Sequence, residues 1–417
     1  MFSDRKTALL SLYTDIEAQN KRYDDLVEFF ERRSQTKTAR FFFSASGRIE
    51  ICGNHTDHQN GCVLTAAIEH DAVALAAKNG TDTINIHSKG QKSFSVNLEN
   101  LYPIKFERGK SAGMVRGIAA KLKAMGITVS GVDICIDSNV ATGSGISSSA
   151  AFEVLITKIL DFFFNDCRLS SYDLAEISQF SEREYFGKPC GLMDQMASAS
   201  GGCIMIDFGK SPACVTPIDM SCVTGDMSIM LVHTGGSHAR LTKEYASIVT
   251  EMCRVAEFFG VSTLSEVSES LFNEKITQIR ESLGERCVLR ALHFFEENRR
   301  VKAISSALMR GDKDAFLSAV NESGDSSTLL LQNVYVDHIQ NKSVALALAL
   351  TKRFFKDEGI NGACRIHGGG FVGTIIAFVP TENKMPYIEH MEAIFGKGSV
   401  DTIIIRNSGA AVLYEEK

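Results

Sequence analysis

The feature that most restricts how this chain can fold lies between residues 132 and 163. Val132, Ile134 and Ile136 alternate with Asp133, Cys135 and Asp137, the two-residue period of a half-buried strand. The stretch VATGSGISSSA follows, and then Phe152, Leu155, Ile156, Ile159, Leu160 and Phe163 recur at helical spacing. A strand, a Gly/Ser loop and a helix start, in that order, predict a helix whose N-terminus faces the loop. Gly143 and Gly145 let the backbone come close to an anion, and the free N–H groups of the first helical turn point at it. Ser147, Ser148 and Ser149 add hydroxyls suited to phosphate oxygens or to a magnesium shell. Taken alone, the loop is equally well read as a Ser-rich N-cap with a glycine turn. It is not a Walker A loop, because the Gly-Lys-Ser/Thr ending is absent, and it lacks the third glycine of a dinucleotide fingerprint.

A second dense segment covers residues 46–61, SGRIEICGNHTDHQNG. Asp57 offers acceptors, Arg48 a rigid fork of donors, and Asn54, His55 and His58 either, which suits a polyhydroxylated or anionic ligand. Further on, residues 182–202 read EREYFGKPCGLMDQMASASGG, and CRIHGGGFVGTIIAFVP sets three glycines, Gly368 to Gly370, before an apolar strand at 374–379. A glycine triplet alone reads as a structural turn.

At 417 residues the chain exceeds the roughly 250 to 300 at which single cores split, so two lobes are expected. The pattern places the boundary near Phe208, giving residues 1–207 and 208–417, with helices at 243–259 and 344–355 in the second half. The 44 basic and 50 acidic residues give a net charge of −6 without a block of like charge, which argues against nucleic-acid and anionic-membrane partners. Eleven scattered cysteines, never in C-x-x-C spacing, indicate neither a disulfide framework nor a zinc site, and suggest reduced thiols in a cytoplasmic protein. The first twenty residues read as an amphipathic helix interrupted by charges, not a signal peptide, and no apolar run approaches the ~20 residues of a membrane helix.

These four stretches together resemble motifs of galactokinases, within the GHMP small-molecule kinases. Residues 46–61 are similar to the sugar signature G-R-x-N-x-I-G-E-H-T-D-Y, with Glu50 in place of asparagine, Asn54 of glutamate and His58 of tyrosine. TGSGISSSA is similar to G-x-G-L-S-S-S-A, PCGLMDQ to P-C-G-I-M-D-Q, and residues 365–373 to K-x-T-G-G-G-F-G-G, with His367 replacing threonine and Val372 a glycine. The closing RNSGAAVL also fits, so the likeness runs from about residue 41 to 413.

The resemblance implies an α+β, two-lobed GHMP kinase fold with its active site in the cleft between lobes, making galactose 1-phosphate from galactose with ATP and Mg2+. It implies catalytic Asp194 and Arg48, sugar contacts from Asn54, His55, Asp57, Gly191 and Tyr245, phosphate contacts from Gly143, Gly145, Ser147, Ser148 and Ser149, and magnesium ligands Ser149 and Glu182. A cation beside Asp194 is expected to weaken it as a base, so that orientation and electrostatics outweigh proton abstraction. Where the family carries a tryptophan and a tyrosine before V-x-G, Ser111 and Met114 stand here, implying weaker adenine stacking, with Met114 as an apolar contact. GNHTDHQNG is also similar to galacturonate kinases of the superfamily, which lack the glutamate and carry histidine after the aspartate; a C6-acid sugar is therefore the alternative substrate. From another class, the alternative is a non-catalytic sensor of sugar and nucleotide. The partners implied are a small sugar and a nucleotide, and the motifs carry nothing on oligomeric state.

Overall fold

Two β-sheets dominate the computed structural model, which describes residues 4–141, 145–236, 241–336 and 340–416. The first sheet contains β1 (Arg40–Cys52), β2 (Cys62–Lys78), β3 (Thr83–Ser88), β4 (Phe94–Asn97), β5 (Val132–Ser138), β6 (Cys203–Asp207) and β7 (Cys214–Ile218). The second contains β8 (Met227–His233), β9 (Ala363–His367), β10 (Thr374–Pro380) and β11 (Val400–Ile403). A last strand, β12 (Ala411–Glu416), returns to the first sheet and pairs antiparallel with β1. The order is β12-β1-β2-β5-β3-β4 in the first sheet and β11-β8-β10-β9 in the second. The 17-residue β2 serves two partners, β6 along residues 62–66 and β5 along residues 72–78. β3 and β5 run parallel, and the helix Ser111–Ala124 lies in their connection.

Helices cover both faces of the first sheet. One face carries the largest apolar cluster, in which Ile49, Ile51, Ile134 and Ile136 meet Val154, Leu155 and Ile159 of the helix Ser148–Asn165. The other face is closed by the helix Ile16–Glu31, whose Tyr23, Leu26 and Phe30 pack on Phe42, Val73, Leu75 and Cys135. This second layer overturns the half-buried reading of β5. Cys135 is fully buried, and buried Asp133 accepts hydrogen bonds from Ser34 Oγ (2.5 Å), Asn79 Nδ2 (2.7 Å) and Asn85 Nδ2 (2.9 Å), which offset its desolvation. Alternation reported the polarity of the strand, whereas burial followed from what packed on it.

The single N-terminal helix expected from the sequence is two, Arg5–Leu10 and Ile16–Glu31. Asp15 has extended backbone and its side chain accepts from the Ala18 N–H, so the second helix starts there with its own N-cap. The expected lobe boundary near Phe208 falls in the turn between β6 and β7, and two strands beyond it, β7 and β12, belong to the first sheet. Helices Thr242–Phe258 and Ser343–Asp357 form where the apolar spacing predicts them. Among the described residues no helix is long and apolar enough to cross a membrane.

Candidate active site

Elements far apart in sequence converge on one carboxylate. Asp194, in the first turn of the helix Met193–Ser200, accepts from Arg48 Nε at 2.7 Å and, at its other oxygen, from Ser147 Oγ. Arg48 comes from the middle of β1, and its Nη1 also donates to the Gly145 carbonyl, tying the strand to the loop before the helix Ser148–Asn165. Burial alone would raise the Asp194 pKa; Arg48, the Ser147 hydroxyl and, more weakly, Lys188 outweigh it and hold the carboxyl below its ordinary 3.8. Asp194 is therefore ionised at neutral pH and a poor proton acceptor.

Ser147 takes the N-cap position at a left-handed φ of 63°, which frees its hydroxyl for Asp194 instead of the helix, and Ser148 and Ser149 occupy the first turn. The free N–H groups of that turn and its partial positive charge face the loop. Gly145 lies within this constellation, whereas Gly143 falls outside the described residues.

The segment between β1 and β2 holds most of the expected sugar contacts. Burial, with Asp194 and Glu50 nearby, pushes the Asp57 carboxyl up to about 7. Asp57 lies directly against Gly191: a Cβ built on Gly191 would stand 1.6 Å from Asp57 Oδ2, so only glycine fits. Burial holds His55 down to about 4, and the neutral ring donates from Nε2 to the Gly369 carbonyl at 2.9 Å. Tyr245 on the helix Thr242–Phe258 donates to the Gly370 carbonyl at 2.7 Å, and its ring meets Phe371 edge-on at 5.3 Å. His55 and Tyr245 thus brace the glycine triplet against the segment that carries Asp57.

Asn54 is committed to protein partners. Its Nδ2 donates to Glu50 Oε1 (2.8 Å) and the Gly368 carbonyl (2.7 Å), and its Oδ1 accepts from Asn333 Nδ2 (2.6 Å). Glu50 in turn pairs with fully buried Arg365 at 3.1 Å. Glu50 and Asn54, two separate departures in the sequence, are therefore one hydrogen-bonded pair. His367 joins the same layer, its Nε2 accepting from the Glu50 N–H at 3.0 Å, which requires a neutral ring protonated at Nδ1. Val372 is accommodated because the positive-φ positions of this turn fall on Gly368, Gly370, Phe371 and Gly373 and not on Val372, which packs into the apolar cluster. His58 is held neutral by burial, down to about 3.

Glu182 lies in a π-helical turn, Ser181–Phe186, that continues the helix Ser171–Phe180. It is 2% exposed and accepts from Lys188 Nζ at 3.0 Å and Gln195 Nε2 at 2.9 Å. Buried Glu153 shares that Gln195 amide at 3.2 Å. Met114 is buried in the core, and Tyr185 packs on the Gly117 face of the same helix.

Sequence reasoning gave no role to Glu153, Lys188, Gln195, Asn333 or Arg365. Gln195 and Lys188 flank the PCGLMD run and could have been flagged by position; Glu153, Asn333 and Arg365 carry no local signal. A cavity of about 1020 Å3 opens elsewhere, walled in part by Arg290, Arg300 and Phe371, and includes none of Arg48, Asp57, Gly191 or Asp194.

Comparison with known proteins agrees with this geometry. A family model of the GHMP kinases N terminal domain matches residues 113–202, and one of the galactokinase galactose-binding signature matches residues 28–78. The galactokinase of Mannheimia succiniciproducens is 30% identical over 364 residues, covering 86% of this chain and 90% of that protein. That of Glaesserella parasuis is 31% identical over 364 residues, covering 84% and 89%. Among solved structures, Lactococcus lactis galactokinase complexed with galactose superposes with a TM-score of 0.81 at 24% identity, covering 94% of this chain and all of that one. Methanococcus jannaschii mevalonate kinase superposes with a TM-score of 0.62 at 16% identity, covering 89% and 100%. At these identities the two structures speak for the fold.

Proposed function

Since the chain belongs to the galactokinase family of GHMP kinases, ATP-dependent phosphotransferases with an alcohol acceptor, we propose that it phosphorylates the anomeric oxygen of galactose from Mg-ATP, forming galactose 1-phosphate. The observation that carries this reading is Asp194 clamped between Arg48 and Ser147 beside the Asp57–Gly191 contact. Phosphoryl transfer asks mainly for positioning and charge stabilisation. Asp194 orients the anomeric hydroxyl as its hydrogen-bond acceptor, Arg48 faces the phosphoryl group in flight, and the first turn at Ser147, Ser148 and Ser149 holds the phosphates. Asp57, with His55 and Tyr245 bracing the glycine triplet behind it, reads the sugar hydroxyls.

Magnesium fits the donors present. Ser149 and Glu182 offer oxygen only, and among the described residues no set of three or more His, Cys, Asp or Glu side chains forms a metal cage. That suits a hard cation held by one or two protein oxygens and the substrate phosphates, whose charge it neutralises when bound. A two-lobed division follows the two sheets, with β12 assigned to the first lobe. The eleven free thiols support a cytoplasmic location.

The galacturonate alternative is not favoured. Both Nδ2 hydrogens of Asn54 are spent on protein acceptors, and burial holds His58 neutral, so Asn54 has no donor left and His58 brings no positive charge to a C6 carboxylate. Kinase assays with galactose, galacturonate, N-acetylgalactosamine and glucose test the proposal. Galactose is expected to give the highest kcat/KM by at least tenfold; a higher value for another sugar, or no turnover of galactose, overturns it.

A further inference from the structure

The carboxylates beside the reacting centre carry an arrangement that the proposed roles leave unexplained. Gln195, the neighbour of Asp194 in sequence, donates from one amide nitrogen to both Glu182 Oε2 and Glu153 Oε2, while Glu153 Oε1 and the Gln195 carbonyl oxygen are buried without a partner. Burial first, and then the like charge of Glu182, push the Glu153 carboxyl well above its ordinary value. Of the neighbouring carboxylates, Asp194 pairs with Arg48 at 2.7 Å and Glu182 with Lys188 at 3.0 Å.

These two matches differ in kind. The Arg48 side chain is 7% exposed and fixed in β1, whereas the Lys188 side chain is 54% exposed and reaches a Glu182 side chain only 2% exposed. The backbone closes the turn around the pair: the N–H groups of Gly187 and Lys188 both donate to the Glu182 carbonyl, at 2.9 and 3.1 Å. The Lys188 backbone is thus anchored beside Glu182, and its ammonium sits at the open end of a four-carbon stem.

We infer that the Lys188 ammonium is a stand-in for the divalent cation: it holds the Glu182 carboxylate that would bind the metal of the metal–nucleotide complex, and swings out when that complex arrives. This rests on reading Glu182 as a metal ligand. One positive charge matches the buried carboxylate in the absence of the metal, and its half-exposed side chain leaves toward solvent when a double charge replaces it. Lys188 therefore competes with the metal and sets the concentration at which the site fills.

The test is Mn2+ binding to the nucleotide-free protein, followed by the electron paramagnetic resonance signal of free Mn2+, for wild type, Lys188→Met, Glu182→Gln and the double variant. Lys188→Met is expected to bind Mn2+ about fivefold more tightly than wild type, with the gain absent in Lys188→Met/Glu182→Gln. Equal or weaker binding by Lys188→Met, or no binding in either protein, overturns the stand-in role. If that happens while Glu182→Gln raises the Mg2+ concentration that half-saturates turnover, the ligand assignment stands and only the competition falls. A fivefold gain that survives in the double variant puts the metal elsewhere, overturning both.

Discussion

Gly191→Ala isolates the contact between the catalytic stretch and the sugar segment. The new methyl carbon would stand 1.6 Å from Asp57 Oδ2 and 2.4 Å from its Cγ, against an ordinary contact distance of about 3.5 Å, so something must move by roughly 2 Å. Asp57 can turn away only by giving up the His58 N–H at 2.9 Å, and a shift of residues 187–192 displaces Asp194 from Arg48 and Ser147. Overpacking of this kind costs about 1–3 kcal/mol of stability, and a misplacement of about 1 Å near the chemistry costs about 100-fold in rate. Gly191→Ala should therefore lower kcat/KM for galactose about 100-fold in a coupled ADP-release assay, with nucleotide binding by titration calorimetry unchanged. The stability loss should largely vanish in an Asp57→Ala background, because the clash partner is gone. A variant within threefold of wild-type kcat/KM, or an equal drop in Tm in both backgrounds, refutes the reasoning.

Asp194→Ala should abolish turnover, and Arg48→Ala should cost several powers of ten, while both keep the fold by circular dichroism; more than a few per cent of wild-type kcat in Asp194→Ala contradicts the assignment. Asp57 is raised from 3.8 to about 7, so the folded protein keeps a proton there that the unfolded chain loses, and the associated stability is full below pH 3.8 and lost as pH rises through 7. Asp57→Asn, which does not ionise, should thus gain stability relative to wild type in urea unfolding as pH rises from 4 to 8, by up to about 4 kcal/mol; a constant offset across that range counts against it. Asn54→Glu sets a second carboxylate against Glu50 and the Gly368 carbonyl and should destabilise by about 2–4 kcal/mol in urea unfolding, whereas Glu50→Asn/Asn54→Glu should recover at least half; a strictly additive double variant would show that the two positions do not interact.

Features that depend on neighbours in the chain are legible in the sequence alone. The strand, glycine loop and helix at residues 132–165 follow from period, turn chemistry and capping, all local effects, and the segment 46–61 already sets Arg48 a few residues before a turn that carries Asn54, His55 and Asp57. What the sequence leaves open is each group's partner. Asn54 sits in a recognition motif, yet its amide is taken by Glu50, Gly368 and Asn333, the last 279 residues away. The C-terminal strand's place on β1, the burial of Cys135 under an N-terminal helix and the sharing of Gln195 between Glu153 and Glu182 likewise join segments that no periodicity links. Local sequence dictates backbone conformation, because that depends on sterics and hydrogen bonds within a few residues. Tertiary packing decides desolvation and pairing, and with them how each carboxylate titrates: Asp194 held low beside Arg48, Asp57 raised to about 7, and Glu153 pushed up by burial and by Glu182.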